Sequence, residues 1–208
     1  MPLIRTKDAW RRWIWPALAF VLLATGLAAA YPVPASIPFR WEFQFEPGDL
    51  RLYVDDDSGQ SYWYLTYKVT NRTGRDRIWA PKFTLYTDAG EILESGKSVP
   101  TQITNDIVEL LRNQFIETQN EVIGDLLEGP ENARDGLVVW PARVLNVNEL
   151  SVFVAGISGE TTRVRNPMTP NEQVILYKTL QRDYLIPGDA LARGTAPVDM
   201  VQQRWIFR

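Results

Sequence analysis

Eighteen consecutive residues without a charge, Trp13–Ala30 (WIWPALAFVLLATGLAAA), constrain this chain more than any other feature. Coiled as a helix at ~1.5 Å per residue they span about 27 Å, close to the ~30 Å hydrocarbon core of a bilayer. Arg5, Lys7, Arg11 and Arg12 precede the run, and the next charge after it is Arg40. That asymmetry holds the N-terminus in the cytoplasm and sends everything beyond the run across the membrane. Trp10, Trp13 and Trp15 cluster at the basic end, as interfacial anchors do. Ala28-Ala29-Ala30 also fits a signal-peptidase site, so the run is either kept as an anchor or cut after export, in the same direction. A buried core helix is the third reading, and the charge asymmetry speaks against it. Arg11-Arg12 alone is too short for a twin-arginine signal. The expectation is a single N-terminal transmembrane helix in a bacterial inner membrane: residues 1–12 cytoplasmic, 13–30 spanning, 31–38 a proline-rich spacer, and 39–208 a periplasmic domain.

The body's composition narrows its chemistry. The first thirty residues carry +3 (four basic side chains against Asp8), which leaves 18 basic and 24 acidic residues, or −6, for the rest. An acidic body disfavours nucleic acid as a partner, because phosphates reward concentrated Lys and Arg. Cysteine and histidine are both absent. Their absence removes disulfides, thiol catalysis, Cys-ligated zinc, the commonest general base and the usual haem ligands. No cofactor and no metal site is expected.

Alternation with a period of two dominates from residue 41 onward. Trp41, Phe43 and Phe45 alternate with Glu42, Gln44 and Glu46, and Leu50, Leu52 and Val54 continue after Pro47-Gly48. Residues 55–60 (DDDSGQ) read as a hairpin turn into the strand SYWYLTYKVT, 61–70. Residues 78–87 and 91–95 read as a second hairpin around Asp88-Ala89-Gly90. Further strands are expected over 137–140, 149–155 (apolar on both faces, hence central), 161–165, 173–180 and 198–207.

The run Tyr64-Leu65-Thr66-Tyr67-Lys68-Val69-Thr70-Asn71-Arg72-Thr73-Gly74 closes an alternating aromatic strand with an Asn-x-Thr-Gly turn. It resembles a segment of immunoglobulin-like sandwich domains in secreted bacterial proteins. The resemblance covers residues 61–74 and implies a mainly-β immunoglobulin-like sandwich and an adhesion or scaffolding role, without an activity.

Between residues 104 and 128 the period changes. Ile107, Leu111, Phe115, Val122 and Leu126 fall at spacings of four, four, seven and four, one face of a long helix. Thr104 or Asn105 would cap it and Gly129-Pro130 would stop it. Such an insertion either covers an open sheet face or docks a partner through Ile107, Leu111 and Phe115.

Other motifs carry less. Asp55-Asp56-Asp57 fails the calcium-loop pattern, because Gly59 stands where a third ligand belongs. Ser95-Gly96-Lys97 lacks the spacing of a serine–lysine dyad, the acidic residues show no glycosidase pair, and Gly156 and Gly159 make no phosphate loop. The Asn71-Arg72-Thr73 sequon has meaning only in a glycosylating pathway. Trp79 and Trp140 each neighbour a proline near a strand end, where they serve either as core residues or as interface anchors. Tyr184 lies in the segment 182–194, read as a loop packed on the domain or on a neighbour.

Together these features point to a non-catalytic, membrane-anchored periplasmic structural or interaction subunit. Its partner is expected to be an integral-membrane or periplasmic protein, for example within a larger respiratory or photosynthetic assembly. A carbohydrate- or protein-binding module is the first alternative and predicts exposed aromatics drawn from Tyr62, Tyr64 and Tyr67. An enzyme using Asp, Glu, Lys or Tyr is the second and predicts a deep pocket with converging carboxylates.

Overall fold

The structure, a computed structural model, describes residues 31–208 except Ser36 and Pro170. The apolar run, with Trp10, Arg11, Arg12, Trp13 and Trp15, therefore lies outside the described residues. No helix among the described residues is long and apolar enough to cross a membrane.

The described chain is mainly β. Strands β1 (Gln44–Val54), β2 (Ser61–Asn71), β3 (Arg77–Trp79), β4 (Lys82–Thr87) and β5 (Ile92–Glu94) precede helix α1 (Thr101–Leu111). Then follow β6 (Ile116–Glu117), β7 (Gly124–Leu126), β8 (Gly129–Pro141) and β9 (Glu149–Ala155). Strands β10 (Thr161–Arg165), β11 (Gln173–Leu185) and β12 (Asp199–Phe207) complete the fold. A four-stranded sheet runs β1-β2-β8-β6, and a six-stranded sheet runs β10-β11-β9-β4-β5 with β12 on β11. β3 and β7 form a separate two-stranded ribbon.

The chain joins the sheets through Trp41–Phe43, which lies antiparallel to residues 157–159: Phe43 N–H donates to Ile157 O (2.9 Å) and Gly159 N–H to Trp41 O (3.0 Å). It then crosses to the other sheet as β1. Gly159 has to be glycine, because a Cβ there would overlap the Trp41 indole. Gly136 is held the same way by the ring of Tyr67, its cross-strand partner.

Alternation explains the core. Leu50, Leu52, Trp63, Leu65, Val138 and Trp140 of the four-stranded sheet share one hydrophobic cluster with Phe83, Leu85, Leu150, Val152, Val154 and Leu180 of the six-stranded sheet. The opposite parity of β2 and β8 supplies Tyr62, Tyr64, Leu137 and Val139, and Ile103 and Ile107 of α1 pack on them. The helix thus covers the outer face of the four-stranded sheet.

The helix is shorter than its apolar spacing suggests, eleven residues at 101–111 and not 104–128. Pro100, not Thr104 or Asn105, occupies the N-cap. At the other end Arg112 turns left-handed (φ 51°, ψ 29°) and donates its N–H to Glu109 O. Asn113 Oδ1 then accepts from Phe115 N–H (3.0 Å), a local turn that competes with helix. Thr118 donates its N–H and hydroxyl to Glu121 (2.9 and 2.8 Å), a second turn. Val122 and Leu126 consequently enter the main core from the β7 region and not from a helix face.

The expected strand 78–87 breaks at Ala80-Pro81, where proline removes a ladder donor, so β3 pairs with β7 and β4 with β5 and β9. β9 is central, between β11 and β4. The expected loop 182–194 begins as the end of β11, and a short 3-10 turn occupies Leu191–Arg193.

Candidate docking surfaces

Four of the six residues singled out as partner contacts are core residues. Trp79, Trp140 and Tyr184 are buried in the main cluster, where they serve the core of the domain. Trp79 instead sits in a chain of rings, 5.4 Å from Phe43 and 6.0 Å from Tyr67. Burial pushes the Tyr184 phenol up to about 12, and Arg182 beside it offsets this only in part. Ile107 is buried on the inner face of α1 against the four-stranded sheet, and Leu111 is half-buried in the same helix–sheet cluster. Phe115 alone is open, 71% exposed beyond the helix end. Tyr62, Tyr64 and Tyr67 are all buried, which removes the aromatic platform expected of a sugar-binding face. Burial also raises the Tyr67 phenol; the Trp79 indole nearby pulls the other way without good hydrogen-bond geometry.

One cavity, about 240 Å³, lies between Ser95-Gly96, the first turn of α1 and residues 118–121. Its lining is chiefly Thr, Asn and Gln side chains with one carboxylate, Glu121, already engaged by Thr118. Those hydrogen bonds hold the Glu121 carboxyl below its usual range. It gathers no converging carboxylates, and the described residues contain no group of three or more metal-ligating side chains.

The buried charge lies elsewhere. Lys178, its side chain 2% exposed, places Nζ 2.9 Å from Glu42 Oε2 and 3.2 Å from Glu160 Oε2. The Glu160 contact is a hydrogen bond, whereas Glu42 is a close charge off the hydrogen-bond line. Trp205 presents its ring 4.9 Å from the same ammonium. Burial alone pulls the Lys178 pKa down, but both carboxylates more than reverse this and leave it raised. The cluster ties the segment where the chain joins the sheets (Glu42) to the connection between β9 and β10 (Glu160) and to β11. Sequence spacing gave no sign of it. The one available signal was parity: Lys178 shares the buried parity of Leu180 in β11.

Comparison of the chain with protein-family models, curated proteins and solved structures returns no match.

The most open element is β12. It pairs with β11 alone, and its first six side chains are exposed on both faces of the strand. Tyr177 and Arg208 exchange both backbone hydrogen bonds, so alternation turns the N–H and C=O groups of Gln203, Trp205 and Phe207 outward. Among the described residues no hydrogen bond reaches those groups. A bulge interrupts the ladder only between Asp183 and Tyr184, which leaves Gln202–Phe207 regular. Proteins commonly shield such edges with Pro, Lys or a covering segment. β12 holds neither Pro nor Lys.

Beside β12 on the outer sheet face, Asp183 accepts from Ser151 Oγ (2.6 Å) and Gln181 Nε2 (2.8 Å). Arg204 Nε donates to Gln181 Oε1 (3.2 Å). This network fixes the polar side chains flanking the open edge. The strand itself was legible in the sequence. Its position at a sheet edge was not, because only the topology decides that.

Proposed function

We propose that this chain is a membrane-tethered, non-catalytic interaction domain on the periplasmic side of a bacterial inner membrane. The domain reads as an immunoglobulin-like sandwich carrying a helix on one sheet. It acts as an accessory subunit that takes an extended segment of a protein partner onto β12 by strand addition. The carrying observation is the unpaired outer edge of β12, where main-chain groups supply affinity and the side chains beside it supply specificity. The 18-residue apolar run and its basic flank support the tether, and an integral-membrane or periplasmic protein of a larger assembly suits a domain held there. Absence of Cys and His supports a non-catalytic role.

Purification of the native protein from membranes in mild detergent, with mass spectrometry of whatever accompanies it, tests this reading. The expected result is a full-length chain in stoichiometric company with a second protein, which a Gln203→Pro variant loses while still folding. A free species beginning at Tyr31, or a partner retained by Gln203→Pro, overturns it.

A further inference from the structure

Strand direction divides the domain into two poles. The chain joins the sheets at Trp41, and β1 runs away from that point for eleven residues to the turn 55–60. The antiparallel β2 returns to Asn71, next to Thr70, which pairs with Gln44. The β3–β7 ribbon also lies at the joining pole, since Arg77 stacks 4.5 Å over the Trp41 ring. β10 leaves from there too: Gly159 is bonded to Trp41, and β10 begins two residues later.

Beyond that point β10 and the first half of β11 continue as a ribbon of five residue pairs, Thr161↔Tyr177 to Arg165↔Gln173. At ~3.3 Å per residue this projects about 16 Å, with residues 166–169 and 171–172 at its tip. β10 pairs with β11 alone. Val164 and Val174 share one face, and Arg163, Ile175 and Arg165 the other. Met168 at the tip is 87% exposed; Ile175 and Tyr177 are also open, as is Ile78 on the neighbouring ribbon.

The two poles differ in charge. Arg72, Arg75, Arg163 and Arg165 are exposed at the joining pole with no ion pair among the described residues, and Asp76, Glu131 and Glu172 are exposed there beside them, so the two signs nearly balance. The opposite pole presents Asp55, Asp56, Asp57, Asp88 and Glu91 in its turns. A domain with one acidic pole and one nearly neutral, arginine-bearing and apolar-tipped pole turns the second toward an anionic surface, because the first is repelled by it.

We infer that the joining pole rests on the anionic phospholipid surface of the bilayer that holds the anchor, with the β10–β11 ribbon as the contacting arm. The inference rests on the tether proposed above. Arg163 and Arg165 meet headgroup phosphates, and Met168 and Ile175 enter the headgroup–acyl boundary. The surface also supplies the support that an isolated two-stranded ribbon lacks in water. The arm leaves β12 free, so lipid contact and strand addition occupy different faces.

The chain's lack of cysteine makes the test direct. Met168→Cys and Asp57→Cys variants of the full chain are labelled with an environment-sensitive fluorophore. Each is reconstituted into phosphatidylcholine vesicles with or without phosphatidylglycerol, with spin-labelled lipid as quencher. The expected result is loss of fluorescence from the Met168 position in phosphatidylglycerol vesicles and none from the Asp57 position. Arg163→Glu/Arg165→Glu should abolish the loss. Equal quenching at both positions in vesicles that carry the chain overturns the arm while leaving the tether intact. A chain that fails to float with vesicles overturns the tether and the arm together.

Discussion

Replacement of Lys178 by methionine should cost this domain about 3 kcal/mol, because it strands two carboxylates around a largely buried site. The ammonium lies 2.9 Å from Glu42 and 3.2 Å from Glu160, with side-chain exposures of 2% for Lys178, 23% for Glu42 and 9% for Glu160. Removing one partner of a buried ion pair costs ~3–5 kcal/mol. Glu42 keeps partial access to water, which places the expected loss at the lower end. For a domain of this size that corresponds to a Tm lower by roughly 6–12 °C. Denaturant unfolding of Lys178→Met measures it, with the triple variant Lys178→Met/Glu42→Gln/Glu160→Gln as the control. Buried ion clusters replaced by neutral groups are often close to neutral in stability, so the triple variant should regain most of the loss. A single variant within about 0.5 kcal/mol of the parent, or a triple variant no better than the single, would refute the reasoning.

Four other outcomes follow from the same geometry. Ile107→Ala should cost ~2–5 kcal/mol in denaturant unfolding, since Ile107 fills the space between α1 and the four-stranded sheet. Gly159→Ala should lower stability by ~1–3 kcal/mol, because its Cβ overlaps the Trp41 indole where the chain joins the sheets; an unchanged midpoint counts against that packing. At alkaline pH the raised Lys178 ammonium and the Tyr184 phenol at about 12 act alike. Their contributions are fully present below the unfolded-state values of ~10 and fade as pH rises through the folded ones, which pH-dependent unfolding with tyrosine absorbance will follow. At acid pH Asp88, held below its usual value chiefly by the Asn148 N–H, contributes stability that is lost as pH falls through its lowered folded value. Asp88→Asn should flatten that part of the profile.

How far the sequence discloses this structure depends on whether a feature is local. Strands such as β1 and β2 were legible because their alternation directly records two sheet faces, and β9 because its apolar run records burial on both. The end of α1 was not, since Ile107, Leu111, Val122 and Leu126 keep helical spacing although the last two serve the sheet core. Asn113 and Glu121 decide the break through hydrogen bonds that apolar periodicity does not register. Trp79 and Trp140 were ambiguous for a related reason: an aromatic beside proline suits a core and an interface equally, and only topology buries them. The Lys178 cluster joins residues from three separate segments, so no motif spells it. The exposed edge of β12 and the charge difference between the poles are likewise properties of strand order.

Hydrogen exchange at Gln203, Trp205 and Phe207, compared between the full chain alone in detergent micelles and the complex isolated from native membranes, tests the central claim most directly. The claim predicts fast exchange of these outward amides in the isolated chain and strong protection in the complex, while the inward amides of Gln202, Arg204 and Ile206 change little. Equally fast exchange of the three outward amides in both preparations would contradict it.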